Sequence, residues 1–272
     1  MTDTQPAREA VPEAFDDVAD RYDLMVGLSP GYHRQLRSSA TLLVDAVRAS
    51  TAGTEPADPT EPADPAEPEQ PRRYLDLGCG SGASTAALVR AALAEDDHGA
   101  ARPVVLGVDG SAGMLASART KRWPDGVSFA QGRAEALADQ PELGPARRAG
   151  GLDGVLAAYL VRNVPDRDAV LRSIREELRP GGVLVVHDYS VRGRPVSTLL
   201  WTLVCWGVII PLGWVTSRRT GLYRYLWRSV LRMDSTAELE QRLRRAGFEQ
   251  VRTVPVGGWQ RGQVHRVVGR AP

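Results

Sequence analysis

At 272 residues and 29.4 kDa, with 43% hydrophobic and 25% charged residues and a formal net charge of +1, the chain is long enough to bury a substantial core and has an ordinary soluble composition. That charge excludes the global pull of a strongly basic nucleic-acid binder, and two cysteines, Cys79 and Cys205, are too few and too far apart for a disulfide framework or a zinc site. The first residues, MTDTQPAREAVPEAF, lack the apolar stretch of a secretory signal, so a cytoplasmic setting is expected and no metal is.

In chain order, VPEAFDDVADRYDLMVGL and HRQLRSSATLLVDAVRA carry apolar residues at helical spacing and predict a helical cap over residues 1–50. The near-repeat TEPADPTEPADPAEPEQP makes residues 51–72 a proline-rich linker, since proline blocks both helix and strand. Residues 73–272 then alternate strand-like and helix-like runs: strand Tyr74–Leu77, helix Ser84–Leu93, strand Val104–Val108, helix Gly113–Lys121 and strand Val127–Ala130. The rhythm continues with strand Leu152–Ala157, helix Arg167–Leu178 and, after the breaker Pro180-Gly181-Gly182, strand Val183–Asp188. Residues 191–232 form an apolar insertion. Helix Thr236–Ala246 and two closing strands, Glu249–Val254 and Val264–Gly269, complete the chain. The predicted fold is α/β: a Rossmann-like, seven-stranded doubly wound sheet with an N-terminal helical cap and an insertion after strand five.

The first strand leads into YLDLGCGSGAST, where Gly78, Gly80 and Gly82 allow positive φ and close backbone approach to a bulky ligand. A tight βα turn could use the same glycines with no ligand at all, so the second strand matters. It ends at Asp109 in GVDGSAGML, where a carboxylate can accept hydrogen bonds from both hydroxyls of an adenosine ribose, with Gly110, Ser111 and Met114 following on the same loop. The interval from Gly82 exceeds the usual one because EDDHGAAR lengthens the loop before the second strand. Asp76, just before the glycines, can organise the loop or reach a cationic amine; a dinucleotide pyrophosphate would be repelled by it. In FAQGRAEAL, Arg133, Ala134 and Glu135 stand where an adenine edge is expected, unless they are only solvated loop residues.

These segments resemble the C-methyltransferases of ubiquinone and menaquinone biosynthesis. The likeness is carried by FDDVADRYDLM, SPGYHR, LDLGCGSG, GVDGSAGML, VRNVPDRDAVLRSIREELRPGG, DYS, YRYLWRSVLRM and AGFEQV, with Tyr22-Asp23, Arg162-Asn163-Val164 and the YRYL segment the more specific parts. It departs at Ala83, where an acidic residue is usual, at Asp188 and Tyr189, which replace glutamate and phenylalanine, and in the closing GGWQRGQVHRVVG. The resemblance implies the seven-stranded S-adenosyl-L-methionine (SAM)-dependent methyltransferase fold, SAM as cofactor, and Arg162 and Asn163 binding or activating the acceptor. A guanidinium is too weak an acid to serve comfortably as a base, so Arg162 is expected to stabilise a phenolate or enolate, ordering a water that takes the proton. Tyr22 and Asp23 could close over the cofactor or merely cap a helix. His187 could act as a base beside Asp188 at the end of strand five, or simply be packed there; His33 is equally open.

Residues Pro195–Ser217 are uncharged, and the run LLWTLVCWGVIIPLGWV approaches the length of a membrane span. Pro211 and Gly213 interrupt it, and later strands must return to the same sheet, which argues against a crossing. A packed lid, an interfacial helix and the wall of an apolar acceptor tunnel remain; Trp201, Trp206 and Trp214 with flanking arginines favour contact with lipid or a lipid-like acceptor. The expected activity is C-methylation of a phenolic or quinone-like small molecule, with or without a prenyl chain, by a cytoplasmic enzyme that could also contact the membrane peripherally. An O- or C-methyltransferase of specialised metabolism and an inactive SAM-binding scaffold are the alternatives. An apolar or aromatic small molecule is the expected partner. Nucleic acid is not: AAYLVRN lacks the Asn/Asp-Pro-Pro-aromatic tetrad of base N-methyltransferases.

Overall fold

The computed structural model describes residues 31–52, 70–94, 101–211, 214, 221–258 and 260–272. A single seven-stranded sheet is built from β1 (Arg73–Leu77), β2 (Val104–Asp109), β3 (Val127–Gln131), β4 (Leu152–Ala158), β5 (Leu178–Tyr189), β6 (Glu249–Pro255) and β7 (Val264–Arg270) in the order β3-β2-β1-β4-β5-β7-β6. β1 to β5 are parallel, and β7 runs antiparallel to both β5 and β6. The central strands are apolar along their length because helices cover both faces.

One face packs Leu75, Leu77, Val155 and Leu184 against α5 (Arg167–Glu177) and α8 (Thr236–Arg245). The other packs Tyr74, Leu156, Val183 and Val185 against α1 (Tyr32–Ala52) and α2 (Ala83–Leu93). α1 comes from the segment expected in a cap, yet it is not set apart from the sheet. Its stripe of Leu36, Ala40, Leu43, Val44 and Val47 is fully buried there, at about 1.5–3 kcal/mol for each large side chain. Helical spacing announces an apolar face but not its partner. The helix also runs into residues 51 and 52, while the rest of the proline-rich stretch up to residue 69 and the expected Tyr22 and Asp23 lie outside the described residues.

Two departures from the expected elements have local causes. β5 begins at Leu178, ahead of Pro180-Gly181-Gly182: Leu178 pairs with Leu152, the register breaks, and Val183 resumes opposite Gly154. The glycines make a bulge rather than a boundary, since a Cβ on Gly182 would lie 2.9 Å from the carbonyl oxygens of Arg179 and Leu152. Between β3 and β4, where no element is predicted, 3₁₀ turns at Ala134–Asp139 and Pro141–Leu143 lead into the one-turn helix α4 (Gly144–Arg148).

The insertion contributes α6 (Pro195–Val204), a π turn at Cys205–Ile209 and α7 (Gly221–Leu231). Its inner side forms a small core of its own from Val191, Trp201, Cys205 and Val230. It is tied to the main domain where Ser190 Oγ donates to the Asp234 carbonyl at 2.9 Å, and where Asp234 accepts from Arg167 (3.0 Å) and Arg242 (2.7 Å). No described helix is long and apolar enough to cross a membrane.

Candidate active site

The chain leaves β1 toward β2 on one side and later reaches β4 on the other, so a crevice opens beyond the carboxyl ends of β1 and β4. A cleft lies there, lined from both sides of the crevice. The turn after β1 holds Gly78, Gly80 and Gly82 at φ +76°, +53° and +90°. It is clamped to β2, with Gly78 N–H donating to the Val108 carbonyl at 2.8 Å. Lys121, the only lysine of the chain, donates from Nζ to the Ser81 carbonyl at 2.7 Å and braces the turn from α3 (Ala112–Thr120). Composition alone gave no reason to single that lysine out.

Asp109 sits at the end of β2. One carboxylate oxygen accepts Gly80 N–H and the other Ser111 N–H, both at 2.8 Å. These two contacts fix the carboxylate's orientation at the end of β2, beside the turn, where an adenosine ribose is expected. Gly78, Gly80, Asp109, Gly110, Met114, Arg133 and Ala134 all line the cleft, as does Glu135. Ser111 does not line it; its hydroxyl caps α3 by accepting Met114 N–H at 3.1 Å. Gly82 is likewise outside the lining and serves as the turn into α2.

Asp76 is completely buried beneath the turn and accepts from Ser84 Oγ (2.8 Å) and Thr85 Oγ1 (2.6 Å). It therefore organises the loop, the first of its two expected roles, while its Oδ1 has no hydrogen-bond partner among the described residues. Burial pushes its carboxyl up to about 6, with the two hydroxyls opposing and nearby Asp109 adding to the rise.

The other half of the cleft follows β4. Tyr159 takes the left-handed conformation at φ 57° and stacks on Tyr32 at 5.6 Å and 11°. Both line the cleft, together with Arg162 and Asn163. Arg162 is 6% exposed, donates from Nη1 to Asp188 Oδ1 at 2.6 Å, and lies over the rings of Tyr159 (5.3 Å) and Tyr189 (5.7 Å). Asp188 also accepts Arg162 N–H and Tyr189 N–H, so its contribution reaches the cleft through the guanidinium. Asn163 donates to the Tyr159 carbonyl and accepts from Tyr225 Oη at 3.3 Å. Tyr32, Tyr159 and Tyr225 were not singled out from sequence. They stand in SPGYHR, AAYLVRN and YRYL respectively, which carry the available signal.

His187 lies behind the cleft wall. It is fully buried, with Nδ1 at 2.8 Å from Ser39 Oγ and Nε2 at 3.0 Å from Tyr159 Oη. Burial, and then the cations of Arg266 and Arg162, push it down to about 3, which suits a neutral brace for Tyr159 rather than a base. His33 is exposed on α1, edge-on to Tyr32. The depressed His187 value gives a signed expectation. Its stabilising effect is complete above the unfolded histidine value near 6.5 and is lost as pH falls toward 3. His265, pushed to about 4 mainly by burial, acts in the same direction, and Asp76, raised, in the opposite one. Denaturant unfolding of His187→Gln between pH 7 and 4 should therefore show a shallower loss of stability than the wild type; parallel curves would contradict the assignment.

The sequence model of the ubiE/COQ5 methyltransferase family matches residues 1–259. Similar proteins include the ubiquinone/menaquinone biosynthesis C-methyltransferase UbiE of Nitrosospira multiformis, 27% identical over 92% of this chain and 88% of that one. The protein of the same name from Shewanella frigidimarina is 29% identical over 89% and 84%. Among solved structures, the fold is similar to that of the trans-methyltransferase CalH complexed with SAH (TM-score 0.54, 19% identity, 97% of this chain and 66% of that one). It is also similar to that of a SAM-dependent methyltransferase from Thermotoga maritima (TM-score 0.51, 18% identity, 96% and 99%).

Proposed function

Because the chain belongs to the ubiE/COQ5 methyltransferase family and is a SAM-dependent methyltransferase, we propose that it methylates a ring carbon of a phenolic or quinone-like small molecule bearing an apolar, prenyl-type tail. The observation that carries this reading is the pairing, in one cleft, of the glycine turn and Asp109 with an aromatic wall and the Arg162 guanidinium.

Bound SAM supplies an electrophilic methyl group on a sulfonium, so the protein must chiefly align the partners and exclude water. Gly78, Gly80, Asp109, Gly110, Met114, Arg133 and Ala134 would hold the cofactor, and the residues present fit it: backbone that allows close approach at the glycines, and a carboxylate oriented at the cleft by Gly80 and Ser111 N–H. Tyr32 and Tyr159 offer a flat surface for an aromatic ring. Ring carbon becomes nucleophilic when the neighbouring hydroxyl loses its proton, and after taking the methyl in place of the broken sulfur–carbon bond it sheds its own hydrogen as a proton, which restores the aromatic hydroxyl. Arg162 would stabilise that oxyanion and order a water to take the proton, while Asp188 fixes the guanidinium plane. Asn163, held by Tyr225, would position the acceptor.

A prenylated acceptor dissolves in bilayers, so the reading includes peripheral membrane contact. Incubation with methyl-labelled SAM and paired demethylquinols, with and without an isoprenoid tail, tests the acceptor class. Higher kcat/KM for the tailed member is expected; equal use of both would remove the tail from the account.

A further inference from the structure

We infer that the outer face of α6, with the exposed arginines Arg192, Arg194, Arg224, Arg228 and Arg232 of the same insertion, forms a docking surface for an anionic lipid bilayer. The inference rests on the reading above only in placing the substrate in a membrane. Its physical basis is separate.

α6 and its continuation turn Trp201, Cys205 and Ile210 inward and leave Val196, Leu199, Leu200, Leu203, Trp206 and Val208 outward, with Val196 79% and Leu203 60% exposed. This exposure is not a sign that the helix lacks a core. Its inner side is satisfied: Trp201 Nε1 donates to the Trp227 carbonyl at 3.4 Å, Trp227 Nε1 donates to Thr202 Oγ1 at 3.2 Å, and Cys205 is fully buried. A helix that buries one face and still presents an uninterrupted apolar stripe on the other is unusual for a monomer surface and marks an interaction site.

Charge selects the occupant. From Tyr189 to Met233 the chain carries seven arginines (Arg192, Arg194, Arg218, Arg219, Arg224, Arg228 and Arg232) and no aspartate or glutamate. The whole protein has a net charge of +1, so this one segment is strongly basic while the remainder is acidic. Among the described residues, Arg192, Arg194, Arg224, Arg228 and Arg232 are exposed. A second copy docking through the same face would bring two such basic segments together, which like-charge repulsion opposes. Exposed apolar side chains that include a tryptophan, in a segment whose charged residues are all arginines, are instead the composition of an element lying in the headgroup region of an anionic membrane.

The placement also connects to the cleft. The inward Trp201 packs on Tyr189 at 4.7 Å, Tyr189 on Tyr159 at 5.4 Å, and Tyr159 lines the cleft. The docking helix is thus one aromatic layer behind the acceptor wall.

The test is flotation of the full chain with phosphatidylcholine vesicles, with and without phosphatidylglycerol, over a range of salt. Partition into the anionic vesicles, weakened by salt, is expected. Arg194→Gln with Arg224→Gln should lower it by about 25-fold, at about fivefold per cation near an anionic surface. Leu203→Glu, on the exposed face, should lower it by at least about tenfold, the scale for one large apolar side chain. SAM affinity by calorimetry should be unchanged in these variants, which separates a failed docking surface from a failed fold or cofactor site. Absence of partition at low salt, equal partition into neutral vesicles, or a dimer in sedimentation that Leu203→Glu dissociates would each overturn the inference. None of those results would touch methyl transfer to tail-less acceptors.

Discussion

Replacing Asp109 with alanine should weaken SAM binding by about 100-fold or more, measured by calorimetry on the folded variant. Two losses combine. The carboxylate would no longer accept the ribose hydroxyls, and charge-assisted hydrogen bonds are each about 1.5–3 kcal/mol. The Gly80 and Ser111 N–H groups, each 2.8 Å from Asp109, would also lose the acceptor that sets the glycine turn and the start of α3. Asp109→Asn keeps the shape but turns an amide NH₂ toward one of those two donors, so it should fall between wild type and alanine. Wild-type affinity in both folded variants would remove Asp109 from the cofactor site.

The second large effect belongs to Arg162. Arg162→Ala should cut turnover by about 100-fold or more, the scale for one preorganised electrostatic stabiliser, with SAM affinity little changed. Removal of the guanidinium also strands Asp188, which is 3% exposed, and breaking a buried pair costs about 3–5 kcal/mol of stability. Arg162→Lys therefore provides the more secure comparison. It preserves the charge but not the planar fork that meets Asp188 while lying over Tyr159 and Tyr189. A fall in kcat of at least about tenfold with an intact SAM Kd is expected for lysine. Near-normal turnover of the folded lysine variant would argue that the guanidinium geometry does not matter.

The strand and helix order was legible because parallel strands buried on both faces read as apolar runs and the amphipathic helices between them read as periodic ones. The glycine turn, Asp109 and the RNV triplet were legible for a related reason: each is local, a few residues at the end of a strand. The opposite wall was not. Tyr32 and Tyr159 meet across more than a hundred residues of chain, and no pattern in either segment names the other. His187 and Asp188 illustrate a different limit. Both stand at the end of β5, where ligands bind in such sheets, but adjacent strand residues point to opposite faces. Asp188 turns to Arg162, and His187 turns to Ser39 on α1. Alternation permits only one of them to serve the guanidinium, and choosing between them required knowing where α1 packs. The bulge in β5 escaped for a similar reason: Pro-Gly-Gly ends a strand unless its neighbour supplies pairing on both sides of the interruption, as Leu152 and Gly154 do.

Transfer of a ¹³C-methyl group from SAM to a tailed demethylquinol, with the label located in the isolated product by NMR and mass spectrometry, tests the central claim most directly. The account predicts one labelled methyl bonded to ring carbon, formed by the wild type and strongly reduced in Arg162→Lys. Label on oxygen, or no labelled product from an enzyme that calorimetry shows to bind SAM, would contradict it.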